Sequence, residues 1–308
     1  MDVKKLLYFI AIAEEKKISR AARRLYLSQP SLTQYLSQLE AEVGAKLFRR
    51  IGGEMILTQE GEYYLESARQ VVIIQKNLYR RIHENTHHYT GELNVGMSPH
   101  RALIALPEVY SPFRRKYPDI TLNLMEISPS ANIEECVRNG KLDLGFVTPR
   151  ETYNDLIYER FYEDFLVAAM HKSNDVYRSL EISPGSAVDL SLLKDAPYIL
   201  SRQGSLITDN MEKFCQSKGM KSQSTTVYGF APNSIQFMES VDDDMVFLMP
   251  ATRSEPSEKL AFLRVKDSPT WHGGAIYHKS ACVNAPMRDF IELMKRHFCY
   301  RLSLVNYV

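Results

Sequence analysis

Between Ser28 and Val43 the chain sets Gln29, Pro30, Ser31, Thr33, Gln34, Ser37 and Gln38 among Leu32, Tyr35, Leu36, Leu39 and Val43. At helical spacing the apolar residues form one stripe, and the others fall mostly on the opposite side. That side is polar yet uncharged. A helix face that is merely solvated carries Lys and Glu. Ser, Thr and Gln are short neutral donor–acceptors, suited to base edges in a major groove. Residues 1–60 hold ten Lys and Arg against seven acids, while the whole chain carries a net charge of +1. A mildly basic head on a mildly acidic body is compatible with phosphate binding without requiring it.

Further along, Ser98-Pro99-His100, Ser128, Thr148-Pro149-Arg150 and Ser201-Arg202-Gln203 each follow a run that reads as a β-strand. Ligands of open α/β sheets lie outside the carboxyl ends of the strands, where helix N-termini direct amides at them. Hydroxyls and free N–H groups there suit a carboxylate or similar small anion, with Arg202 or His100 adding charge. Each serine also suits ordinary helix capping.

Other chemistry lacks its residues. The chain has no GxSxG, P-loop or HExxH pattern and no Cys/His pairing at informative spacing, so no catalytic group is expected. Cys136, Cys215, Cys282 and Cys299 form no CxxC, which argues against a metal site or a disulfide framework and for a reducing cytoplasm. His83 and His87 stand at a metal-ligand spacing with His88 beside them, but Glu84 is the one nearby acid, and a polar hinge over 85–91 is the better reading. Asp242-Asp243-Asp244 reads as a solvated turn. No cofactor is expected, and no apolar run is long enough for a bilayer. Lys4-Lys5 and the apolar Leu6–Ala13 imitate a secretory signal, yet Val3, Leu6, Leu7, Ile10 and Ala13 keep helical spacing and fit a retained first helix.

The elements that must position these groups follow from the pattern. A helix is expected over 3–16, then a short one over Arg20–Tyr26 capped by Ser19. Ser28 can cap the third, with Pro30 in its first turn and Gly44 at its end. Two short helices, a tight turn and a third helix with a polar face describe a helix-turn-helix. Thr58 can cap a long helix to Asn85, on which Tyr64, Val71 and Leu78, Leu65 and Val72, and Ala68 and Ile82 recur at multiples of seven. That stripe suits pairing with another helix, of a second copy or of the chain's own second domain. From Glu92, β-rich runs alternate with helical ones, which predicts an open α/β sheet. At 308 residues there is room for two or three cores.

Phe9, Ser19-Arg20-Ala21-Ala22-Arg23-Arg24-Leu25, Leu27-Ser28-Gln29-Pro30-Ser31-Leu32-Thr33, Leu39-Glu40, Gly44, Leu47-Phe48-Arg49-Arg50 and Leu57-Thr58…Gly61 resemble the signature of LysR-type transcriptional regulators, in register over nearly all of residues 2–65. The resemblance implies an α/β protein: a winged helix-turn-helix with a long linker helix, then a two-lobed effector domain like the periplasmic binding proteins. It implies that Gln29, Pro30, Ser31 and Thr33 meet the major groove of operator or promoter DNA. Arg49 and Arg50 would lead into a β-hairpin wing, Phe48–Leu57, beside the phosphates or minor groove. Ser19, Arg20, Ser28, Gln34 and Ser37 complete the candidate DNA-binding set. Gln34 stands where the family often has arginine, and Gly52-Gly53 replaces a wing tip that usually carries a basic residue.

The resemblance further implies pairing of two subunits through the long helix, as a homodimer or homotetramer, and contact with RNA polymerase if the protein activates. Local pieces of the second part, Gly140-Lys141-Leu142-Asp143-Leu144 and Phe247-Leu248-Met249-Pro250 among them, also resemble that family. The expected division is 1–60 for the DNA-binding domain, 61–91 for linker helix and hinge, and 92–308 for the effector domain. Within it, lobe I is 92–163 with 269–308, and lobe II is 164–268. Crossing strands near Phe161–Met170 and Leu263–Trp271 would join the lobes, with Phe230 and Asn233 facing the cleft. The competing reading is a solute-binding or enzymatic protein that uses the two-lobed fold without binding DNA.

Overall fold

Asp2 opens the first helix, its carboxylate accepting from the Lys4 N–H at 2.9 Å, and α1 (Val3–Glu15) buries Leu6, Phe9, Ala11 and Ile12. This computed structural model describes residues 2–86, 89–149, 152–180, 187–194, 196, 198–201, 206–219, 226–228, 235–240 and 245–305. Helix α2 (Ile18–Arg24) begins two residues before the expected start. Ile18 is buried with Ala21 and Ala22, so packing rather than the Ser19 hydroxyl sets that boundary; Lys17 holds the cap position and Ser19 is exposed.

Helix α3 (Gln29–Val43) starts as expected, with the Ser28 hydroxyl accepting from the Ser31 N–H at 3.2 Å, and ends at Gly44. Leu32, Leu36 and Leu39 join Phe9, Ile12, Leu47 and Phe48 in one core. Tyr35 is half-buried and donates its hydroxyl to the Lys5 carbonyl at 2.7 Å. Val43, assigned to the buried stripe, is exposed. The residue that the stripe did not include is Glu40, which is 8% exposed. Its Oε1 accepts from the Leu47 and Phe48 N–H groups at 2.9 and 3.3 Å, and its Oε2 pairs with Lys46 Nζ at 2.6 Å.

Those N–H groups lead straight into β1 (Phe48–Ile51), which pairs antiparallel with β2 (Glu54–Leu57). Gly52 and Gly53 make the turn at φ +59° and +83°, and a two-residue hairpin turn with both φ positive is where glycine is cheapest. The Met55 N–H donates to the Lys16 carbonyl at 2.8 Å and holds the ribbon to the α1–α2 corner. Thr58 caps α4 (Gln59–Thr86), accepting from the Gly61 N–H at 3.0 Å while donating to the Lys46 carbonyl at 2.7 Å. A Cβ on Gly61 would lie 2.0 Å from the Leu47 carbonyl oxygen, so α4 passes against the same segment.

Tyr64 and Leu65 pack into the head core, with the Phe9 and Tyr64 rings 4.6 Å apart, and Ala68 is 2% exposed. Ile73 lies beneath Gly140, and the Asn77 amide bonds the Ser280 carbonyl and the Cys282 N–H. Residues 139–141 and 280–284 accordingly fall in one compact unit with 1–88; the other unit comprises 89–138, 142–279 and 285–308.

The second unit starts with β3 (Gly91–Met97), which pairs in parallel with β4 (Ile120–Glu126) and β5 (Leu144–Val147). Helix α5 (Pro99–Lys116) connects β3 to β4, and α6 (Ser130–Arg138) precedes β5. Then comes β6 (Leu156–His171), 16 residues long. After α7 (Asp175–Ser179) come β7 (Tyr198–Ser201), α8 (Leu206–Ser217), β8 (Thr226–Tyr228), α9 (Ile235–Ser240) and β9 (Val246–Pro250). The chain closes with β10 (Leu260–Arg264), β11 (Thr270–His278) and α10 (Ala285–Val305). The strand order is β4-β3-β5-β11-β6-β9-β7-β8, with β10 also on β6.

One strand therefore serves both halves of the sheet. Leu156–Phe165 of β6 pairs with β11, and Leu166–His171 pairs with β9 and β10. Its second half is buried on both faces, with Leu166, Ala168 and Met170 in one core and Phe165, Val167 and Ala169 in another. A strand covered on both sides reads as a continuous apolar run, as Phe165–Met170 does. The other expected crossing strand, 263–271, is not continuous: β10 ends at Arg264, the chain turns at Asp267 (φ +55°), and β11 starts at Thr270.

Glu40 gives a direct test. Burial pushes its carboxyl up, but Lys46 and the Leu47 and Phe48 N–H groups outweigh that and hold it below the usual carboxylate range. A carboxyl held low in the folded chain stabilises above its unfolded value, and that stabilisation is lost as pH falls through the folded value. Glu40→Ala should cost about 2–3 kcal/mol at neutral pH in urea melts. The gap between the two proteins should narrow as pH drops below about 4; a gap constant with pH would contradict the assignment.

Candidate nucleic-acid interface and effector cleft

Helix α3 and the β1–β2 ribbon are fixed to each other through Glu40, and the faces they leave open form the candidate interface. Gln29, Pro30, Ser31, Thr33, Gln34 and Ser37 are all exposed or half-exposed on α3, as are Ser19 and Arg20 on α2 and Arg49 and Arg50 on β1. Three hydroxyls are partly engaged at home. Ser28 Oγ and Ser31 Oγ share a hydrogen bond at 2.7 Å, and Thr33 Oγ1 donates to the Gln29 carbonyl at 2.9 Å. Ser28 thus serves first as the cap that sets the start of α3. Gln29 and Gln34 keep long amide side chains that can reach past the helix surface.

Arg49 lies opposite Ile56 and Arg50 opposite Met55 in the ribbon. Side chains alternate across a strand, so the two guanidinium groups leave from opposite faces of the hairpin. The Gly52-Gly53 tip carries no side chain. The positive charge of the wing comes from these arginines, and the residue just after the turn is the acidic Glu54. Sequence patterning did not mark Tyr26, which is 97% exposed at φ +56° in the turn before α3; an aromatic after a short helix carries no distinguishing signal.

In the second unit, β4, β3 and β5 are parallel neighbours, with Met97 level with Glu126 and Phe146. Ser98, Ser128 and Thr148 each follow one of these ends, so three of the predicted strand-end groups belong to adjacent strands. Ser98 acts as the cap of α5, its Oγ accepting from the Arg101 N–H at 3.4 Å, with Pro99 in the first turn. Ser128 is exposed, and its carbonyl accepts from the Asn132 side chain at 3.4 Å. Thr148 is 5% exposed and accepts from Arg101 Nη2 at 2.6 Å. Ser201 ends β7, in the other half of the sheet. Its side chain lies outside the described residues, as do those of His83, His87 and His88, and so do Arg150, Arg202, Gln203, Phe230, Asn233 and 241–244.

A group that patterning missed surrounds His100. Arg101 is buried and also reaches the Phe146 carbonyl. Asp164, 2% exposed on β6, accepts from the Thr252 N–H at 3.1 Å, Thr252 Oγ1 at 2.7 Å and the Phe165 N–H at 2.9 Å. Burial pushes its carboxyl up in spite of those donors. Arg253, in the 3-10 turn Ala251–Arg253, is drawn down to about 10 by burial and by Arg101, against the pull of Asp164. Arg301 on α10 donates to the Thr252 and Ser254 carbonyls at 2.9 and 3.2 Å and to Glu255 at 2.7 Å.

His100 itself is not a source of charge. Burial, then Arg253, Arg101 and Arg301, hold its imidazole well below the usual value, so it is neutral at physiological pH. Buried charges at such spacing come from residues 100 to 301 in sequence, and no local pattern reports them. Among the described residues no group of three or more His, Cys, Asp or Glu side chains is placed to hold a metal ion, and no helix is long and apolar enough to cross a membrane.

Residues 3–62 match the model of the bacterial regulatory helix-turn-helix protein, lysR family, and residues 86–299 match that of the LysR substrate binding domain. The chain is 24% identical over 291 residues to the HTH-type transcriptional regulator YcgK of Bacillus subtilis, covering 87% of this chain and 90% of that one. It is 29% identical over 248 residues to AlsR of the same organism, covering 80% and 76%. Among solved structures, a full-length OxyR variant from Pseudomonas aeruginosa superposes with a TM-score of 0.68 at 18% identity, over 97% of this chain and 94% of that one. Full-length CbnR in complex with its target DNA superposes at 0.51 and 22% identity, over 97% and 100%.

The two parts of the head interface are separable by experiment. Gln29→Ala should cost about 1–3 kcal/mol of discrimination between a cognate and a mismatched site in gel shifts. Arg49→Ala should weaken binding to all sequences alike and reduce the salt dependence by about one unit of slope. An Arg49→Ala protein with an unchanged slope would take that side chain off the phosphates.

Proposed function

The chain belongs to the LysR family of bacterial transcriptional regulators, and we propose that it reads operator or promoter DNA through Gln29, Pro30, Ser31, Thr33, Gln34 and Ser37 under control of a small anionic effector. The observation that carries this is the uncharged, hydrogen-bonding, open face of α3 beside a wing held in place by Glu40. Arg20, Arg49 and Arg50 supply phosphate contacts, and Ser19 and Ser28 flank them. The effector sits at the strand ends, against Ser98, Pro99, His100, Ser128 and Thr148, with Ser201, Arg202, Gln203, Phe230 and Asn233 from the other lobe. The relatives are transcriptional regulators, in keeping with a protein that is not an enzyme. The solute-binding or enzymatic alternative is not favoured, because it leaves the helix-turn-helix without a use.

We assign residues 1–60 to DNA binding, 61–91 to the linker and 92–308 to effector binding, and place the protein's action in the cytoplasm, with contact to RNA polymerase if it activates. Control follows from differential binding. An effector that favours one arrangement of the lobes shifts the population toward it and changes how subunits present their heads. The protein acts as a homodimer, or a tetramer of such dimers, through α4. Of the stripe expected to pair, Tyr64 and Leu65 turn onto the head's own core, Ala68 is buried, and Val71 and Val72 are half-buried. The open apolar face is Ile74, Leu78, Tyr79 and Ile82.

Ile74→Asp with Leu78→Asp should yield a monomer in sedimentation and lose at least about tenfold in DNA affinity, since two linked heads bind by effective concentration. A double variant that stays dimeric would remove α4 pairing. Ser128→Ala should leave ligand-free DNA binding unchanged and blunt the change in mobility of the DNA complex produced by small carboxylates. A Ser128→Ala protein that responds as the parent does would displace the effector from the ends of β3, β4 and β5.

A further inference from the structure

Glu14 on α1 is the meeting point of three cations from three separate places in the chain. Its side chain is 10% exposed, and its Oε2 pairs with Arg24 Nη1 of α2 at 2.7 Å. Its Oε1 faces Lys141 Nζ at 3.0 Å and Arg69 Nη2 of α4 at 3.8 Å. Burial pushes the Glu14 carboxyl up, but Arg24 and Lys141 outweigh that and hold it below the usual carboxylate range. Arg24, itself fixed also by Glu15 at 3.3 Å, is enough to neutralise this carboxylate. A further, exposed lysine adds little to stability. What sets Lys141 apart is the segment that carries it. It ends the turn 139–141, which the chain enters from α6 and leaves toward β5, and this turn falls in one compact unit with 1–88. Gly140 closes α6 at φ +70°, with the Leu142 N–H donating to the Cys136 carbonyl at 3.1 Å. A Cβ on Gly140 would lie 3.1 Å from Ile73 of α4, and Lys76 Nζ donates to the Gly140 carbonyl at 3.2 Å. The turn is thus seated on α4, and Lys141 extends from it to α1.

We propose that Lys141 is a positioning residue for the DNA-binding head, tying α1 through Glu14 to the turn that closes α6. The Phe9–Tyr64 contact joins α1 to the start of α4, and the Glu14 cluster joins it to the turn seated further along the same helix, at Ile73. Two attachments along one helix resist the pivoting that a single one allows. The pair therefore contributes little to folding and limits how the head is presented. Coupling of this kind is carried by ion pairs and rigid elements in series. Here the series is α6, the turn, Lys141, Glu14 and α1, so the one side chain Lys141 passes a displacement of α6 to the head. This assignment rests on the reading of the head as a DNA reader presented in pairs, and it adds the residue that fixes the presentation.

The test uses the full chain and three DNAs: a genomic fragment that it selects, the same fragment with about five base pairs, half a helical turn, inserted between the half-sites, and one half-site alone. The readout is the ratio of affinities for the first two. Lys141→Ala should melt within about 2 °C of the parent. Lys141→Ala and Lys141→Glu should each lower the ratio at least about threefold, with binding to the single half-site unchanged. Lys141→Arg should keep the parent's ratio. Glu14→Gln should lower it as well, and Lys141→Ala added in that background should change nothing more. The parent's ratio retained in Lys141→Ala and Lys141→Glu, an equal loss on all three DNAs, a Lys141→Arg protein that behaves as Lys141→Ala does, or additive effects of the Glu14 and Lys141 changes each overturns the proposal. So does a parent that binds both two-site fragments equally, which leaves the DNA-binding reading standing. A parent that selects no DNA overturns both.

Discussion

One carboxylate joins the two parts of the head that we propose meet DNA. Glu40 sits on the buried side of α3 and accepts the N–H groups of Leu47 and Phe48, the residues that open the wing. Without it, those donors would be buried and unpaired, and the wing would be tied to the recognition helix by apolar contact alone. Thr58 and Gly61 complete the junction from the other side, because α4 can start there only if its backbone passes close to Leu47. Recognition helix, wing and linker helix are thus referenced to a single short segment, 46–48. A head built this way presents its polar side chains as a rigid set, which is what base reading at hydrogen-bond distances requires.

Much of this head can be read from residue order, since local rules and packing agree there. Ser28, Pro30 and Gly44 bound α3 by capping chemistry, and Gly52-Gly53 forms the hairpin turn. Reading failed where packing overrode the local signal. The start of α2 moved to Ile18 because that side chain is buried. Glu40 was invisible because a charged residue on an apolar stripe looks like a solvated one until its partners, up to eight residues on, are known. The α4 stripe was read as one face, but its first turns cover the chain's own core, and the exposed apolar residues begin at Ile74 apart from Tyr63.

In the second unit the alternation of strands and helices was legible in the residue order. The adjacency of β4, β3 and β5 then brings Ser98, Ser128 and Thr148 to neighbouring ends, although Ser98 and Thr148 are engaged in capping and in holding Arg101. The surrounding charges were not legible. Arg101, Asp164, Arg253 and Arg301 come from four separate elements, and their meeting is a product of β6 passing through both halves of the sheet. His100 carried a false expectation for the same reason. Sequence made it a source of positive charge, while burial and then the neighbouring arginines make it a neutral imidazole.

The central claim is that this chain binds particular DNA sites and that a small molecule alters how it does so. Footprinting of genomic fragments selected by the full-length protein, with and without the carboxylates that stabilise it, tests both halves together. The account predicts protection of two half-sites spaced by whole turns of about 10.5 base pairs, with the protected pattern changing when the acid is present. Failure to select or protect any site, or a footprint that no stabilising ligand alters, would contradict it.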